Sequence, residues 1–112
     1  MTVPNRGDVV IIDFDLQARH ERMKRRPALV LSLATFNEAF GPTFVAPVTT
    51  KPRGHAFEVP LPDGFAVQGS VMVHQVKSLA WRPRGARIAA KVPGRILAEA
   101  IDVVRDIIDG TE

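Results

Sequence analysis

The sequence predicts a mainly β fold in a single domain, a small barrel of short strands with one amphipathic helix at the C-terminal end. Short apolar runs separated by turn residues recur along most of the chain. A persuasive helical periodicity occurs only in residues 93–110. Alternating strand and helix units are absent, which excludes a Rossmann-type nucleotide fold.

The predicted strands follow from apolar runs bounded by turn residues. The run "RGDVVIIDFD" comes after a Gly-Asp turn, and "RPALVLSL" begins at Pro27, where a missing N–H is tolerated. The third strand is "FVAPVTT", in which Pro47 indicates a bulge or an edge. The later strands are "FEVPL", one or two strands within "SVMVHQVKSLAW", and a short strand in "RPRGARIAAKV".

Two segments carry helical signals. The segment "ATFNEAFGPT" predicts a short helical turn or loop that ends at Gly41-Pro42. In the last segment apolar side chains recur at spacings of three and four residues, between a start at Pro93 and a stop at Gly110. These side chains are Ile96, Leu97, Ala100, Val103, Val104, Ile107 and Ile108. Without repeats, linkers or low-complexity tracts, residues 1–112 form one predicted domain.

Composition narrows the classes of function. The 112 residues are 46% hydrophobic and 24% charged, which is ordinary for a globular domain. The sequence has no cysteine, which excludes disulfides, thiolate catalysis and cysteine-based zinc sites. Its apolar runs are far shorter than the roughly 20 residues of a membrane span, and no signal peptide is recognisable, so we expect a cytoplasmic protein.

Several familiar catalytic patterns are missing from the sequence. It contains neither a glycine-rich phosphate loop nor the G-x-S-x-G pattern of a serine nucleophile. His20, His55 and His74 lie far apart and not at metal-ligand spacing, and the carboxylates do not cluster. We therefore expect no bound metal and no cofactor.

A cationic segment precedes the second strand. Lys24, Arg25 and Arg26 stand directly against its apolar run, and Arg19 and Arg22 come shortly before them. Like charges at this density repel one another, which favours an anionic partner. A net charge of +3 with an excess of arginine makes nucleic acid plausible, since guanidinium groups bind phosphate well. The alternative is a solvated loop that only aids solubility.

Strand ends supply a candidate site. Arg26 lies where the cationic segment enters the second strand, and Thr49 and Thr50 lie where the third strand ends. A guanidinium and a hydroxyl that converge there could hold a phosphate and stabilise extra negative charge on it. RNA brings its own nucleophile, the ribose 2′-OH, and Glu21 is a nearby carboxylate that could move the proton. The alternative is a strand-end charge and a turn-forming threonine without chemistry.

The blocks "RGDVVIIDFD", "RRPALVLSLATFN", "FVAPVTT", "FEVPL" and "VMVHQVKSLAWRPRGA" together resemble the MazF/PemK toxins, the ribonuclease halves of bacterial toxin–antitoxin pairs. The resemblance runs from about Pro4 to the C-terminal helix, and "HQVKSLAWRPRGA" favours the MazF branch. It implies an SH3-like antiparallel barrel of the PemK/CcdB type and a homodimer. It also implies a metal-independent endoribonuclease that acts on single-stranded mRNA and is bound by an acidic, MazE-like antitoxin.

The resemblance also implies roles for individual residues. Arg26 and Thr49 match the family's catalytic arginine and threonine, and Glu21 matches a glutamate of the site. The RNA-binding residues are expected to be Arg19, His20, Arg22, Lys24, Arg25, Thr50, Gln75 and Lys77. The first loop, "ARHERMKRRP", is more cationic and poorer in glycine than the family form G-x-E-Q-x-G-x-R-P.

Two alternatives stay open beside the ribonuclease. A gyrase poison of the CcdB kind would share the barrel but would act through its C-terminal residues, and "IIDGTE" lacks the aromatic terminus expected there. A catalytically dead barrel could bind RNA or a partner. The combination of Glu21, Arg26 and Thr49 favours the ribonuclease, while either Glu21 or His20 could be the general base. We place the expected dimer surface around "ATFNEAF" and the C-terminal helix.

Overall fold

Seven strands and two helices make up the fold. The computed structural model describes residues 2–14 and 25–110. The strands are β1 (Asp8–Asp13), β2 (Arg25–Val30), β3 (Pro42–Thr49), β4 (Glu58–Pro60), β5 (Ser70–Met72), β6 (Lys77–Ala80) and β7 (Arg87–Lys91). The helices are α1 (Ala34–Phe40) and α2 (Gly94–Asp109), and a 3-10 turn (Val73–Gln75) connects β5 to β6.

All of the described strands belong to one antiparallel sheet in the order β4-β5-β3-β2-β1-β7, with β6 paired to β3. The prediction of a mainly β fold with a C-terminal helix is confirmed. The expected closure into a barrel is wrong for the described residues, because no pairing joins β4 to β7. β4 contributes only three residues and ends at Pro60, which has no N–H to extend the hydrogen bonding.

Strand β3 is central because it exchanges partners along its length. Its first half pairs with β6, from Pro42 opposite Ala80 to Val45 opposite Lys77. Its last residues pair with β5, and Thr49 lies opposite Ser70. The 3-10 turn lies between β5 and β6, so it brings His74 and Gln75 to the same region as the end of β3.

Strand β1, the second half of β2 and the inner residues of β3 are buried on both faces, which explains why their sequences are continuous apolar runs rather than alternating ones. Neighbouring residues of a strand point to opposite faces, so each strand contributes to two clusters. One cluster includes Val9, Leu29, Ala46, Val71, Ile96 and Ala100, and therefore packs α2 on the sheet. The other includes Val10, Ile12, Phe14, Val30, Val45, Leu79 and Trp81.

The predicted helical turn "ATFNEAF" is helix α1, and the buried Asn37 holds it in place. Its side-chain amide donates to the carbonyl oxygen of Pro4 at 2.7 Å and to that of Ser32 at 3.2 Å. Its backbone carbonyl accepts a hydrogen bond from the Trp81 indole at 2.9 Å. The helix ends at Gly41, whose φ of 90° is readily available only to glycine.

The predicted C-terminal helix is confirmed as α2, between Pro93 and Gly110. Ile96 and Ala100 face the sheet, while Ile107 and Ile108 are exposed near its end. In the parts of the chain that the structure describes, neither helix has the length and apolar composition of a membrane span.

Candidate active site

Arg26 and Thr49 lie at the adjoining ends of two paired strands. Strands β2 and β3 pair from Val30 opposite Val45 to Ala28 opposite Pro47, and the same antiparallel register continued by two residues beyond this pairing would set Arg26 opposite Thr49. Side chains opposite each other in an antiparallel pair project from the same face of the sheet. The register therefore supports the expectation that a guanidinium and a hydroxyl converge at these two strand ends.

Phe14 lies beneath the cationic side of this site. The guanidinium carbon of Arg26 is 5.4 Å from the centroid of the Phe14 ring, and the Lys77 ammonium nitrogen is 5.7 Å from it. Phe14 itself is buried at the edge of the core. Cation–π attraction to one fixed ring holds both charges near each other, so their combined field favours an anion such as a phosphate.

The Thr49 hydroxyl is oriented by its own backbone. It accepts a hydrogen bond from the Lys51 N–H at 3.1 Å, which leaves its own O–H able to donate to another group. Thr49 also lines a cavity of about 400 Å³. The other lining residues are Lys51, Arg53, Glu58, Met72, His74 and Gln75. Thr49 and the predicted RNA contact Gln75 thus share one cavity.

Gly69 fixes the backbone of Thr49 from the neighbouring strand. Its φ is 120°, and a Cβ atom added there would lie 2.1 Å from the carbonyl oxygen of Thr49. Only a residue without a side chain permits this approach. The contact places β5 directly against the end of β3, where the buried Ser70 pairs with Thr49.

Sequence reasoning missed Glu58 as an organiser of the cavity. Its carboxylate accepts hydrogen bonds from the N–H of Arg53 at 3.0 Å and from that of Gly54 at 2.8 Å, and its side chain is only 4% exposed. Burial raises the pKa of this carboxyl, but the two N–H donors, His55 and His74 together lower the pKa below its ordinary value. The available signal was a charged residue, Glu58, within the otherwise apolar predicted strand "FEVPL".

Arg25 and Arg26 are neighbours in sequence but have different surroundings. The Arg25 guanidinium donates to the carbonyl oxygens of Ile11 at 2.9 Å and of Gly85 at 2.8 Å, and it lies 3.5 Å from the Asp13 carboxylate. These contacts tie β2 to β1 and to the turn before β7. Arg25 therefore has a structural role that the sequence did not indicate, and its predicted contact with RNA stays a prediction.

The remaining predicted site residues are distributed as follows. Thr50 is exposed just after β3, and Lys77 begins β6. The predictions for Arg19, His20, Glu21, Arg22 and Lys24 fall outside the described residues. Within residues 2–14 and 25–110, the histidine, aspartate and glutamate side chains form no cluster of three that could hold a metal ion.

Comparison with known proteins identifies the family. The model of the family described as the PemK-like, MazF-like toxin of type II toxin–antitoxin systems matches residues 5–108. The chain belongs to this toxin family. It is 43% identical to the endoribonuclease toxin MazF of Escherichia coli K12 over 84 residues, which is 75% of either chain. It is also 35% identical over 109 residues to the endoribonuclease toxin ChpB of the same strain, with 93% of each chain covered.

Solved structures agree with this assignment. A crystal structure of MazE–MazF from Deinococcus radiodurans matches with a TM-score of 0.90 and 39% identity, covering 99% of this toxin and all of that chain. A crystal structure of MazF from the same organism matches with a TM-score of 0.87 and 40% identity, covering 96% of this toxin and 98% of that chain. The sheet with its C-terminal helix is therefore the MazF fold.

Proposed function

We propose that this toxin is the endoribonuclease of a type II toxin–antitoxin pair and that it cleaves single-stranded mRNA. Arg26 and Thr49 would both contact the phosphate at which the RNA is cut. The observation that supports the proposal is the β2–β3 register, which, continued by two residues beyond Ala28 and Pro47, would set the Arg26 guanidinium and the Thr49 hydroxyl on one face of the sheet. Lys77 adds a second cation on the shared Phe14 ring. Cleavage of mRNA inhibits translation and growth, and it takes place in the cytoplasm.

The proposed chemistry uses a nucleophile that belongs to the substrate. The ribose 2′-oxygen loses its proton to a base and forms a bond to the adjacent phosphorus, while the bond from phosphorus to the 5′-oxygen breaks. The departing 5′-oxygen takes up a proton, so the products are a 2′,3′-cyclic phosphate and a 5′-hydroxyl. Glu21 is our proposed base, and His20 is the alternative.

The roles of Arg26 and Thr49 follow from the charge that develops on the phosphate. In the pentacoordinate transition state the non-bridging oxygens carry more negative charge than in the ground state, so donors aimed at them lower the barrier. The Arg26 guanidinium supplies two parallel N–H donors, and the Thr49 hydroxyl supplies a third. This mechanism needs no divalent metal ion and no cofactor.

Two partners are proposed from the charge and the exposed apolar side chains of the surface and from the similar structures: an antitoxin and a second copy of this chain. One similar structure is a MazE–MazF complex, so we propose an acidic, MazE-like antitoxin that excludes RNA. It would cover the cationic groove, the surface that runs from Arg26 and Lys77 to the cavity at Thr49. We further propose a homodimer through the aromatic surface Phe36, Phe40 and Phe44, whose ring centroids lie 5.2 and 5.3 Å apart in neighbouring pairs. Phe40 is 71% exposed in the single chain, and a second copy would cover it.

The proposal is tested by single-turnover cleavage of single-stranded RNA in EDTA. Arg26→Ala should reduce the rate about 10²- to 10³-fold, as removal of one preorganised donor does in other enzymes. Arg105→Ala is the matched control, because that arginine is 75% exposed on α2. The products should carry a cyclic phosphate and a 5′-hydroxyl.

Three outcomes would contradict this function. RNA that stays intact with folded wild-type protein would favour the gyrase-poison alternative, and RNA that is bound without being cut would favour the non-catalytic barrel. A strict magnesium requirement or a 5′-phosphate product would refute the mechanism. Sedimentation as a 12.3 kDa monomer at micromolar concentration would refute the dimer.

A further inference from the structure

We propose that the rings of His55, Phe57 and His74 form a stacking platform for one nucleobase of the RNA next to the cleaved phosphate. The inference rests on the proposed function, since it names a subsite of the same groove. It assigns a binding role to three residues that the sequence left without one.

The three rings form a contiguous cluster although they come from two separate segments. The ring centroids of His55 and His74 are 4.9 Å apart, those of His55 and Phe57 are 5.9 Å apart, and those of Phe57 and His74 are 6.2 Å apart. A hydrogen bond from the Val73 N–H to the Phe57 carbonyl oxygen, at 3.1 Å, joins the segments directly below the rings.

The cluster lies at the surface rather than in the core. Phe57 is 44% exposed, and both histidines are exposed as well. Neither core cluster includes any of the three rings. Aromatic rings that contribute little to the core and face solvent together are available to bind a ligand with a flat π-surface.

The platform adjoins the candidate active site. His74 lines the same cavity as Thr49 and Gln75, and Lys51 and Arg53 line its cationic side. Proteins that bind single-stranded nucleic acid combine a cationic groove for the backbone with aromatic rings for the bases. A phosphate held at Thr49 would thus place an adjoining base toward the rings, with Gln75 beside it for hydrogen bonding.

Three hydrogen bonds and one close contact between an imidazole and a carboxylate hold the platform in a fixed orientation. The His55 Nδ1 atom accepts from the Phe57 N–H at 3.2 Å, and its Nε2 atom lies 3.6 Å from the Glu58 carboxylate. Glu58 also accepts hydrogen bonds from the N–H groups of Arg53 and Gly54, which fixes the turn that carries His55 and Phe57. A rigid ring loses little entropy on binding, so the platform is preorganised.

The test separates the ring from the other properties of each side chain. Phe57→Ala and Phe57→Leu both remove the ring, while Phe57→Trp keeps one. His74→Ala removes a ring and a titratable group, while His74→Phe keeps the ring alone. Asp63→Ala is the control, since that side chain is exposed in the turn between β4 and β5 and does not line the cavity.

The assay measures binding and cleavage separately. The probe is a single-stranded RNA that wild-type protein cleaves, labelled at one end, together with a version that carries a 2′-deoxy nucleotide at the cut and cannot react. Loss of a ring should weaken binding of the uncleavable RNA about 5- to 150-fold, the range for base–aromatic stacking. The cleavage rate at saturating RNA should change little, and the ring-keeping variants should bind like wild type.

An abasic nucleotide scanned through the RNA locates the stacked base. At one position it should weaken wild-type binding by the same factor as Phe57→Ala, and the two changes together should be no worse than either alone. Equal binding by all variants, or equal effects of every abasic position, would overturn the platform. If His74→Phe and His74→Ala both cleaved saturating RNA much more slowly than wild type, His74 would transfer a proton instead of stacking on a base. That result would also overturn the platform. Failure of wild-type protein to cleave any RNA would refute the proposed function, whereas binding of a single-stranded DNA of the same length by wild type and the ring variants would still report on stacking.

Discussion

Replacing Gly69 with alanine tests how tightly the cleavage rate depends on the position of Thr49. The added Cβ atom would lie 2.1 Å from the Thr49 carbonyl oxygen, whereas even a close carbon–oxygen contact is about 3.3 to 3.6 Å. One strand end must therefore move by about 1 Å, which is the size of displacement that reduces catalysis roughly 10²-fold. The φ of 120° adds a further strain of about 1 to 3 kcal/mol to the folded state.

Gly64→Ala is the matched control for this variant. Gly64 also has a positive φ, of 79°, but nothing lies within 4 Å of the position its Cβ would occupy. Both variants should lose thermal stability, while only Gly69→Ala should lose about 100-fold in single-turnover RNA cleavage. If the two purified, folded variants cleaved RNA at the same rate, the contact between Gly69 and Thr49 would not be what positions the hydroxyl.

Three further predictions concern single side chains. Arg26→Lys should recover little of the activity lost in Arg26→Ala, because an ammonium keeps the charge but not the paired donors, and single-turnover rates check this. Asn37→Ala should lower the free energy of unfolding by about 2 to 4 kcal/mol, because buried carbonyl groups lose their donor, while the exposed neighbour Glu38 tolerates the same change in a denaturant titration. Glu58→Gln should destabilise the protein at neutral pH but not in acid. Because the folded-state pKa of Glu58 is lowered by the N–H donors, His55 and His74, its stabilisation is complete above about pH 5 and disappears as the pH falls below the ordinary glutamate value of about 4.3. Thermal unfolding of both proteins from pH 7 to pH 3 measures this, and a constant difference across that range would contradict it.

The strands and the long helix could be predicted because their signals are local. The apolar runs of β1, β2 and β3 and the three- and four-residue spacing in α2 lie within short stretches of sequence. Closure of the sheet was not predictable in the same way, because it depends on which edges meet. Strand β4 has only three residues and ends at Pro60, which lacks an N–H donor. The sequence does not reveal whether so short an edge strand pairs with β7, which forms the other edge.

The candidate site could be predicted where it lies at strand ends but not where it depends on pairing between distant segments. Arg26 lies at the start of β2 and Thr49 at the end of β3, so an antiparallel sheet is enough to predict that they are neighbours. Glu58 and His74 come together only because β4 pairs with β5, with Glu58 opposite Met72. Neighbouring residues of a strand point to opposite faces, so Arg25 and Arg26 have different surroundings. The sequence does not reveal which of these two arginines lies on the same face as Phe14.

The attachment of the turn at residues 51–57 through Glu58 has a consequence for how such toxins diverge. Arg26 and Thr49, which we propose to act on the phosphate, belong to strands whose inner residues are packed on both faces, so substitutions of those inner residues lose packing. The turn at residues 51–57 is exposed, and it is attached to the sheet by Glu58 and by the hydrogen bond from the Val73 N–H to the Phe57 carbonyl oxygen, so substitutions of its exposed side chains should leave folding intact. If the ring platform binds a base, target preference can therefore change, or be engineered, over a few positions without any change at Arg26 and Thr49.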